Sequence, residues 1–500
     1  MLDTLQNLAM GFGLAITPTN LLFAFIGSML GTLIGVLPGI GPLATISMLL
    51  SLTVTLDPVT SLIMLSAIFY GAQYGGSTTA ILCNLPGEAT SVITAVDGYQ
   101  MALKGKAGVA LATAALSSLL AGCIATALIA LLAPPLARFA LNFNAPEIFA
   151  LMALGLLACV IFSPGSFVKA LAMALLGVLL GLIGSDVETG AQRMTFGIAD
   201  LSDGLSVVSL AIGLFGLNEI ISNLSQTGGR RVAAQTLNRL WLSGSDFKKM
   251  LPAALRGTAF GSILGVLPGG GMTLSTFASY MLERKIAKDP SQFGAGAIQG
   301  VAAPEAANNA AAQTSFIPLL TLGIPASPIM ALLLGAMIIQ GIQPGADVMI
   351  KRPDLFWGLI ASMWVGNAML VIINLPMIGI WVRLLKVPYD ILFPAIVIFC
   401  CIGSYSIGLS TVDLFLMAAF TGVGTFSLAV GYPLVPLLLG FVLGPLAEEN
   451  LRRAMSLANG DVMVFIHRPV SAAIVGVMVL LVLSFVAPFL RRARSANAET

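Results

Sequence analysis

Of the 500 residues 57% are hydrophobic and only 9% charged, whereas a water-soluble domain carries about 25% charged residues. With a mean hydropathy of +0.97 the chain reads as an integral membrane protein. A net charge of +2 without a basic, aromatic-interleaved stripe excludes a nucleic-acid partner, and the lone His467 leaves no His-based metal site or Ser-His triad.

In chain order, residues 1–15 place Leu2, Leu5, Leu8, Ala9 and Phe12 on one helical face, which predicts an amphipathic interfacial helix. The first Lys or Arg is Lys104, so no basic region of a cleavable signal stands at the N-terminus. A first span over about 21–37 runs into Gly35-Val36-Leu37-Pro38-Gly39-Ile40-Gly41. Glycine loses more entropy in a helix than other residues and proline removes a backbone donor, so this cluster predicts a break. Residues 42–56 are apolar but short, and a helix over 59–70 follows. The stretch 71–79 is too polar and glycine-rich for a lipid-facing helix. Together with 80–85, Asn84 and Pro86-Gly87-Glu88 it predicts a re-entrant hairpin. Spans follow near 107–133, 145–162, 166–184 and 205–223.

The segment 224–256 holds Arg230, Arg231, Arg239, Lys248, Lys249 and Arg256 against Asp246 alone, which places it in the cytoplasm. Lys104 and Lys106 join it on that side, and Arg491, Arg492 and Arg494 bring the C-terminus back there. Asp186, Glu188, Asp200 and Asp203 fall opposite, with only Arg193 against them. Lys351-Arg352 also falls opposite, flanked by Asp347 and Asp354.

The second half repeats the order of the first. Gly265-Val266-Leu267-Pro268-Gly269-Gly270-Gly271 matches the first break, and Ile324-Pro325-Ala326-Ser327-Pro328 matches Leu85-Pro86-Gly87-Glu88. Gly341-Ile342-Gln343 echoes Gly98-Tyr99-Gln100. Later spans lie near 355–382, 390–408, 412–430, 431–446 and 471–490, for about 12–14 membrane segments including partial ones. One break is approached from a side without basic residues and the other from the basic side, which favours an inverted repeat. The expected organisation is an N-terminal repeat 1–223, a basic connector 224–256 and a C-terminal repeat 257–500, in an all-α polytopic fold.

Two interrupted segments at matching places point to a transporter's binding site. The hydroxyls and amides of Ser77, Thr78, Thr79, Asn84, Asn308, Asn309, Gln313, Thr314 and Ser315, with freed backbone N–H groups, suit a carboxylate. Freed carbonyls around Pro38, Gly39, Gly41, Pro268, Gly269 and Gly271 suit Na⁺. Each small residue taken singly also fits plain helix packing. Glu88 and Glu305 have two readings. They are ion-coupling carboxylates, or Glu88 sits in water at a hairpin tip and Glu305 caps a helix starting near Pro304. Glu147 reads as a first-turn helix residue, and Glu448, Glu449, Arg452 and Arg453 as a solvated face with i,i+4 pairs. Glu219 and Asp413 stay open as buried groups. With no nucleotide loop, no nucleophile–base pair and no aspartate pair in the repeat motifs, enzymatic chemistry is not expected.

The runs GTLIGVLPGIGP (31–42), YGAQYGGSTTAILCNLPGEATS (70–91) and DGYQMALKGKAG (97–108) resemble the TctA family, the large membrane subunit of the tripartite tricarboxylate transporters. GVLPGGG and PEAANNAAAQTSFIPLLTLGIPAS in the second half are similar to it as well. The resemblance implies a multi-pass transporter of the bacterial inner membrane. Its partners would be a small four-helix membrane subunit and a periplasmic solute-binding protein. It would carry tricarboxylates such as citrate in symport with Na⁺ or H⁺, with no other cofactor, through inverted repeats of the ion-transporter type and an elevator motion. The alternative is a stand-alone cation-coupled carboxylate carrier or exporter that needs no binding protein.

Overall fold

Prolines and short polar side chains set where the helices begin. Thr17 caps Pro18, Asp57 caps Pro58 by accepting from the Val59 N–H at 3.0 Å, and Ser327 caps Pro328. Asn144 and Glu147 form a capping box around Ala145-Pro146. In each case the cap satisfies an orphan N–H and the proline sits where no donor is needed. The computed structural model describes residues 2–37, 41–53, 55–85, 87–186, 189–224, 240–384 and 389–496. Pro38, Gly39, Pro86, Glu188, Arg230, Arg231 and Arg239 lie outside them.

The helices, in order, are α1 (Leu2–Ala15), α2 (Pro18–Val36), α3 (Pro42–Thr53), α4 (Pro58–Cys83), α5 (Val92–Leu103), α6 (Ala107–Ala140), α7 (Ala145–Phe162) and α8 (Phe167–Gly181). A two-residue hairpin follows, β1 (Gly184–Ser185) antiparallel to β2 (Gln192–Arg193), with Gly184 opposite Arg193. Then come α9 (Val207–Ala211), a π-helical turn (Ile212–Leu217), α10 (Asn218–Leu224), α11 (Gly244–Leu264), α12 (Gly271–Ile286), α13 (Ile298–Thr314), α14 (Phe316–Leu322) and α15 (Pro328–Ile339). The chain ends with α16 (Asp347–Lys351), α17 (Pro353–Asn374), α18 (Ile378–Leu384), α19 (Tyr389–Gly408), α20 (Thr411–Ala429), α21 (Leu434–Leu457), α22 (Val464–His467) and α23 (Pro469–Ala496). Among the described residues six helices are long and apolar enough to cross a bilayer, namely α2, α6, α7, α17, α20 and α21, and shorter apolar helices accompany them. The protein is therefore an all-α polytopic membrane protein apart from the small hairpin.

One expectation is corrected here. The helix expected over 59–70 does not stop there; α4 runs unbroken for 26 residues through 71–79 and ends only at Asn84, whose φ of 55° is left-handed. Its polar groups are tolerated because the helix is buried on every face, so lipid never meets them. On α1 the buried positions are Gly11 and Ala15, while Leu5 is exposed. Gly11 decides this rotation, because a side chain there would overlap the Trp357 carbonyl of α17.

The breaks are set up by a glycine ladder that recurs in both halves. Gly27, Gly31 and Gly35 of α2 lie against the backbone of Met64, Ile68 and Ala72 on α4. Gly257, Gly261 and Gly265, at the same four-residue spacing, lie against Ala303, Ala307 and Ala311 on α13. Any Cβ at these glycines would collide with carbonyls of the neighbouring helix, so only glycine permits the close approach.

The chain forms two compact units: residues 1–138 with 206–426, and residues 139–205 with 427–500. The first contains both glycine ladders and an apolar cluster of Val36, Ile81, Met101, Leu111, Ile373 and Trp381. In the second, Gly177 and Gly440 bring α8 and α21 into backbone contact. There Arg193 pairs with Asp186 and, at 2.8 Å, with Glu448, while Arg452 bridges the same two carboxylates. The expected pairs Glu448–Arg452 and Glu449–Arg453 are present, but the first belongs to this network rather than to a purely solvated face. Glu147 is a first-turn residue as expected and also binds Arg468 at 2.5 Å.

Candidate functional site

Helix α4 and helix α13, from opposite halves of the sequence, meet through their polar faces inside the first unit. On α4, Gln73 and Ser77 are one turn apart and share a face. On α13, Glu305, Asn308 and Asn309 do the same. Glu305 Oε2 lies 2.6 Å from Ser77 Oγ, and its Oε1 accepts from Thr94 Oγ1 of α5 at 2.6 Å. The Ser118 hydroxyl of α6 is a further partner of this carboxylate and accepts from Asn309 Nδ2 at 2.6 Å. Asn308 Nδ2 donates to Gln73 Oε1 at 2.7 Å, and Gln73 Nε2 donates to Glu88 Oε2 at 3.0 Å. The buried Gln73 amide thus links Asn308 of the second half to Glu88 of the first.

These contacts exclude the helix-cap reading of Glu305 and the water-exposed reading of Glu88. Pro304 lies inside α13, so Glu305 is no N-terminal cap; it is a buried mid-helix carboxylate. Glu88 does not sit in water either, because its Oε1 is shut off from solvent and has no hydrogen-bond partner.

The other predicted residues divide. Thr78 lines the same cavity as Ser77 and Glu305. Gln313 accepts from Thr126 of α6 at 3.4 Å. Thr79 bonds Gly76 O at 2.9 Å and lies 3.3 Å from Gly35 O, and Thr314 bonds Ala310 O at 3.0 Å and lies 3.5 Å from Gly261 O, so both face the ladder helices. Ser315 bonds Ala312 O at 2.7 Å. Asn84 stands apart, as an exposed C-cap of α4. Sequence reasoning passed over Gln73, Thr94 and Ser118, and their signal was a polar side chain inside an otherwise apolar helical stretch.

Pro38 and Gly39 fall outside the described residues, but the flanks of the first break are placed. The Gly41 N–H donates to Glu219 Oε2 at 2.9 Å, which gives Glu219 a partner. At the second break, Pro268 lies in the turn between α11 and α12. Gly269 adopts φ 94° and donates its N–H to Ala326 O at 3.2 Å, in the loop that matches Gly87 of the first half. Gly271 starts α12, where a Cβ would overlap Leu264 O.

A second tie joins the halves. Asp97 of α5 is fully buried, and its Oδ1 accepts from the N–H groups of Gly294, Gly296 and Ala297, just before α13, at 2.9, 2.7 and 2.8 Å. Its Oδ2 accepts from Tyr280 Oη at 2.9 Å.

Two cavities accompany these groups. One of about 10 Å³, room for about one water, is lined by Tyr74, Ser77, Thr78, Ser118, Glu305 and Asn374 among others. The other, of about 440 Å³, lies where α6, α11 and α13 begin and is lined by Lys106, Asp246, Lys249, Gln292 and Gln299. The Ser243 hydroxyl, 2.6 Å away, holds the Asp246 carboxyl below its usual range. Among the described residues no group of three or more His, Cys, Asp or Glu is arranged to hold a metal ion.

The family model described as "Tripartite tricarboxylate transporter TctA family" matches residues 21–439. A similar protein of Agrobacterium vitis, described as an uncharacterized 52.8 kDa protein in the TAR-I ttuC′ 3′ region, is 57% identical over 494 residues, 99% of this chain and 98% of its own. Another from the same organism, an uncharacterized protein in the TAR-II ttuC′ 3′ region, is 57% identical over 234 residues, 47% of this chain and 97% of its own. No solved structure matches.

Proposed function

The chain belongs to the tripartite tricarboxylate transporter TctA family, and on that premise we propose that it is the large permease subunit of a cation-coupled carboxylate uptake system. The observation that carries this is the buried polar seam in which Gln73 and Ser77 meet Asn308 and Glu305. A seam of amides, hydroxyls and carboxylates at the meeting of two matching halves is the arrangement a midplane transport site needs. Substrate binds along this seam, held by Ser77, Thr78, Asn308, Asn309 and Gln313, and the glycine-lined breaks shape the ends of the site. The recurrence of the ladder supports two structural repeats, and the basic residues that precede the second break but not the first favour an inverted relation between them.

The cavity at Glu305 holds about 10 Å³, against the roughly 300–1,000 Å³ of a small-molecule pocket, so the seam must open to admit a tricarboxylate. An elevator-type displacement of the seam supplies that opening. The larger cavity, with Lys106, Lys249 and three helix N-termini around it, suits an anion entering or leaving on the basic, cytoplasmic side. A small membrane subunit and a periplasmic solute-binding protein complete the system in the bacterial inner membrane, and Na⁺ or H⁺ drives it.

Cells that express the full chain with both partners should accumulate labelled citrate or a related carboxylate. An ionophore that collapses the ion gradient at constant ATP should stop this, and accumulation that persists removes the coupling. Asn309→Leu and Asn308→Leu should abolish uptake with normal amounts of protein in the membrane, and wild-type uptake in both takes the seam out of the substrate site. Uptake that needs neither partner would favour the stand-alone carrier.

A further inference from the structure

Lys106 and Lys249 line the cavity of about 440 Å³, and among the described residues neither forms an ion pair. Asp246, the one carboxylate in that lining, belongs to the capping box of its own helix. It accepts from the Ser243 hydroxyl at 2.6 Å and from the Ser243 N–H at 3.2 Å. Ser243, and after it Lys106 and Lys249, hold that carboxyl below its usual range, so the three charges share one neighbourhood. The lining thus carries two positive charges against one negative. Two further carboxylates, Asp97 and Asp289, are engaged by donors of their own. Asp97 has three N–H groups and the Tyr280 phenol, and Asp289 has Ser291 and Gln292.

Neutral donors complete the wall. Ala297, the N-cap of α13, has no side chain that could cap the helix. The Ile298 and Gln299 N–H groups therefore have no acceptor within α13, and both residues line the cavity. The positive end of a 17-residue helix adds to the pull on an anion. The wall is also fixed before any ligand arrives: Asp97 holds the Gly296 and Ala297 N–H groups, and Lys104 Nζ holds Ala295 O at 2.6 Å.

The cavity is separate from the seam. From Gln299 to Glu305 the distance along α13 is ~9 Å. Buried apolar side chains stand between them, Val301 on α13 with Ala110 and Leu111 on α6. An anion can therefore occupy the cavity while the seam stays shut. The volume lies within the roughly 300–1,000 Å³ of small-molecule pockets.

We propose that this cavity is a second anion site, distinct from the seam, which takes a small multivalent oxyanion, a carboxylate or a phosphate, with Lys106 and Lys249 as its charged ligands. Oxyanions of two or more charges suit a pair of ammonium donors better than chloride does. Bound there, the anion ties the start of α6 to α11 and α13 and braces the shut arrangement. The cytoplasmic origin of the anion rests on the reading given above; the binding itself does not.

The test follows the melting temperature of purified full-length protein in detergent as citrate, or separately inorganic phosphate, replaces chloride at fixed ionic strength and pH. A saturable rise with at least one of them is expected, and the anion that gives it names the class. In the double variant Lys106→Gln, Lys249→Gln the half-saturation point should move up by about tenfold or more, the worth of one charged hydrogen bond. It should stay in place in Lys248→Gln, which removes the same charge beside the cavity, and in Asn308→Leu, which alters the seam. A linear rise shared by all variants is a solvent effect and overturns the site, as does no rise. A rise lost in Asn308→Leu and kept in the double variant assigns the anion to the seam and overturns it too. If the double variant does not fold, Lys106→Gln and Lys249→Gln are titrated singly against the same criteria. Failure of the anion response leaves carboxylate uptake standing, and failed uptake with an intact response removes only the transport reading.

Discussion

Asp97 shows how a single side chain can hold two distant parts of the sequence in register. It collects three backbone N–H groups and one phenol, from a segment about 200 positions further on. Replacing it by alanine leaves several buried donors unsatisfied, so Asp97→Ala should cost on the order of 3 kcal/mol or more. Tyr280→Phe removes one bond to a charged acceptor and should cost about 1.5–3 kcal/mol. Thermal melts of both variants check this, and an Asp97→Ala protein that melts with the wild type would remove the clamp. The same level shows how far residue types could be interpreted. Glu305, Asn308 and Ser77 stood out because polar groups are rare in apolar runs. Asn84 stood out for that reason too, yet asparagine also suits a left-handed cap, and type alone does not separate the two uses.

Helix pairing is governed by glycine spacing rather than by hydrophobicity. The ladders of α2 and α11 place a backbone carbonyl where any Cβ would go. Gly31→Val and Gly261→Val should each cost at least ~1–3 kcal/mol through overpacking and should lower the yield of monodisperse protein to a similar degree in the two halves. Gly13→Ala, which meets nothing, should leave it unchanged. Size-exclusion profiles from detergent extracts measure both. Helix α4 carries a related lesson. Its glycine- and hydroxyl-rich middle reads as a break if lipid surrounds it, but it is a helix because protein does.

Over the full chain, compact units combine segments far apart in sequence, 1–138 with 206–426 and 139–205 with 427–500. The second unit depends on a charge network in place of a polar seam. Arg193→Ala strips a partner from Asp186, whose side chain is only 5% exposed, and should cost about 1–3 kcal/mol after allowance for the partly open arginine. Arg453→Ala, on an exposed i,i+4 pair, should change stability by about 0.5 kcal/mol or less. Equal melting temperatures for the two variants would show that the network contributes no more than a surface pair.

Composition and the positions of proline and glycine were enough for the membrane class, the spans near 145–162 and 412–430, and the matched order of landmarks in the two halves. Those features follow from local chain stiffness, capping and transfer free energy, which a linear pattern encodes. Which way each helix turns, and hence that Gln73 meets Asn308, Ser77 meets Glu305 and Asn84 meets neither, came from packing alone. A polar side chain in an apolar helix must find a partner, but the partner is chosen by how closely two backbones approach and at what rotation. That is a property of the assembled helices, and no single stretch of chain contains it.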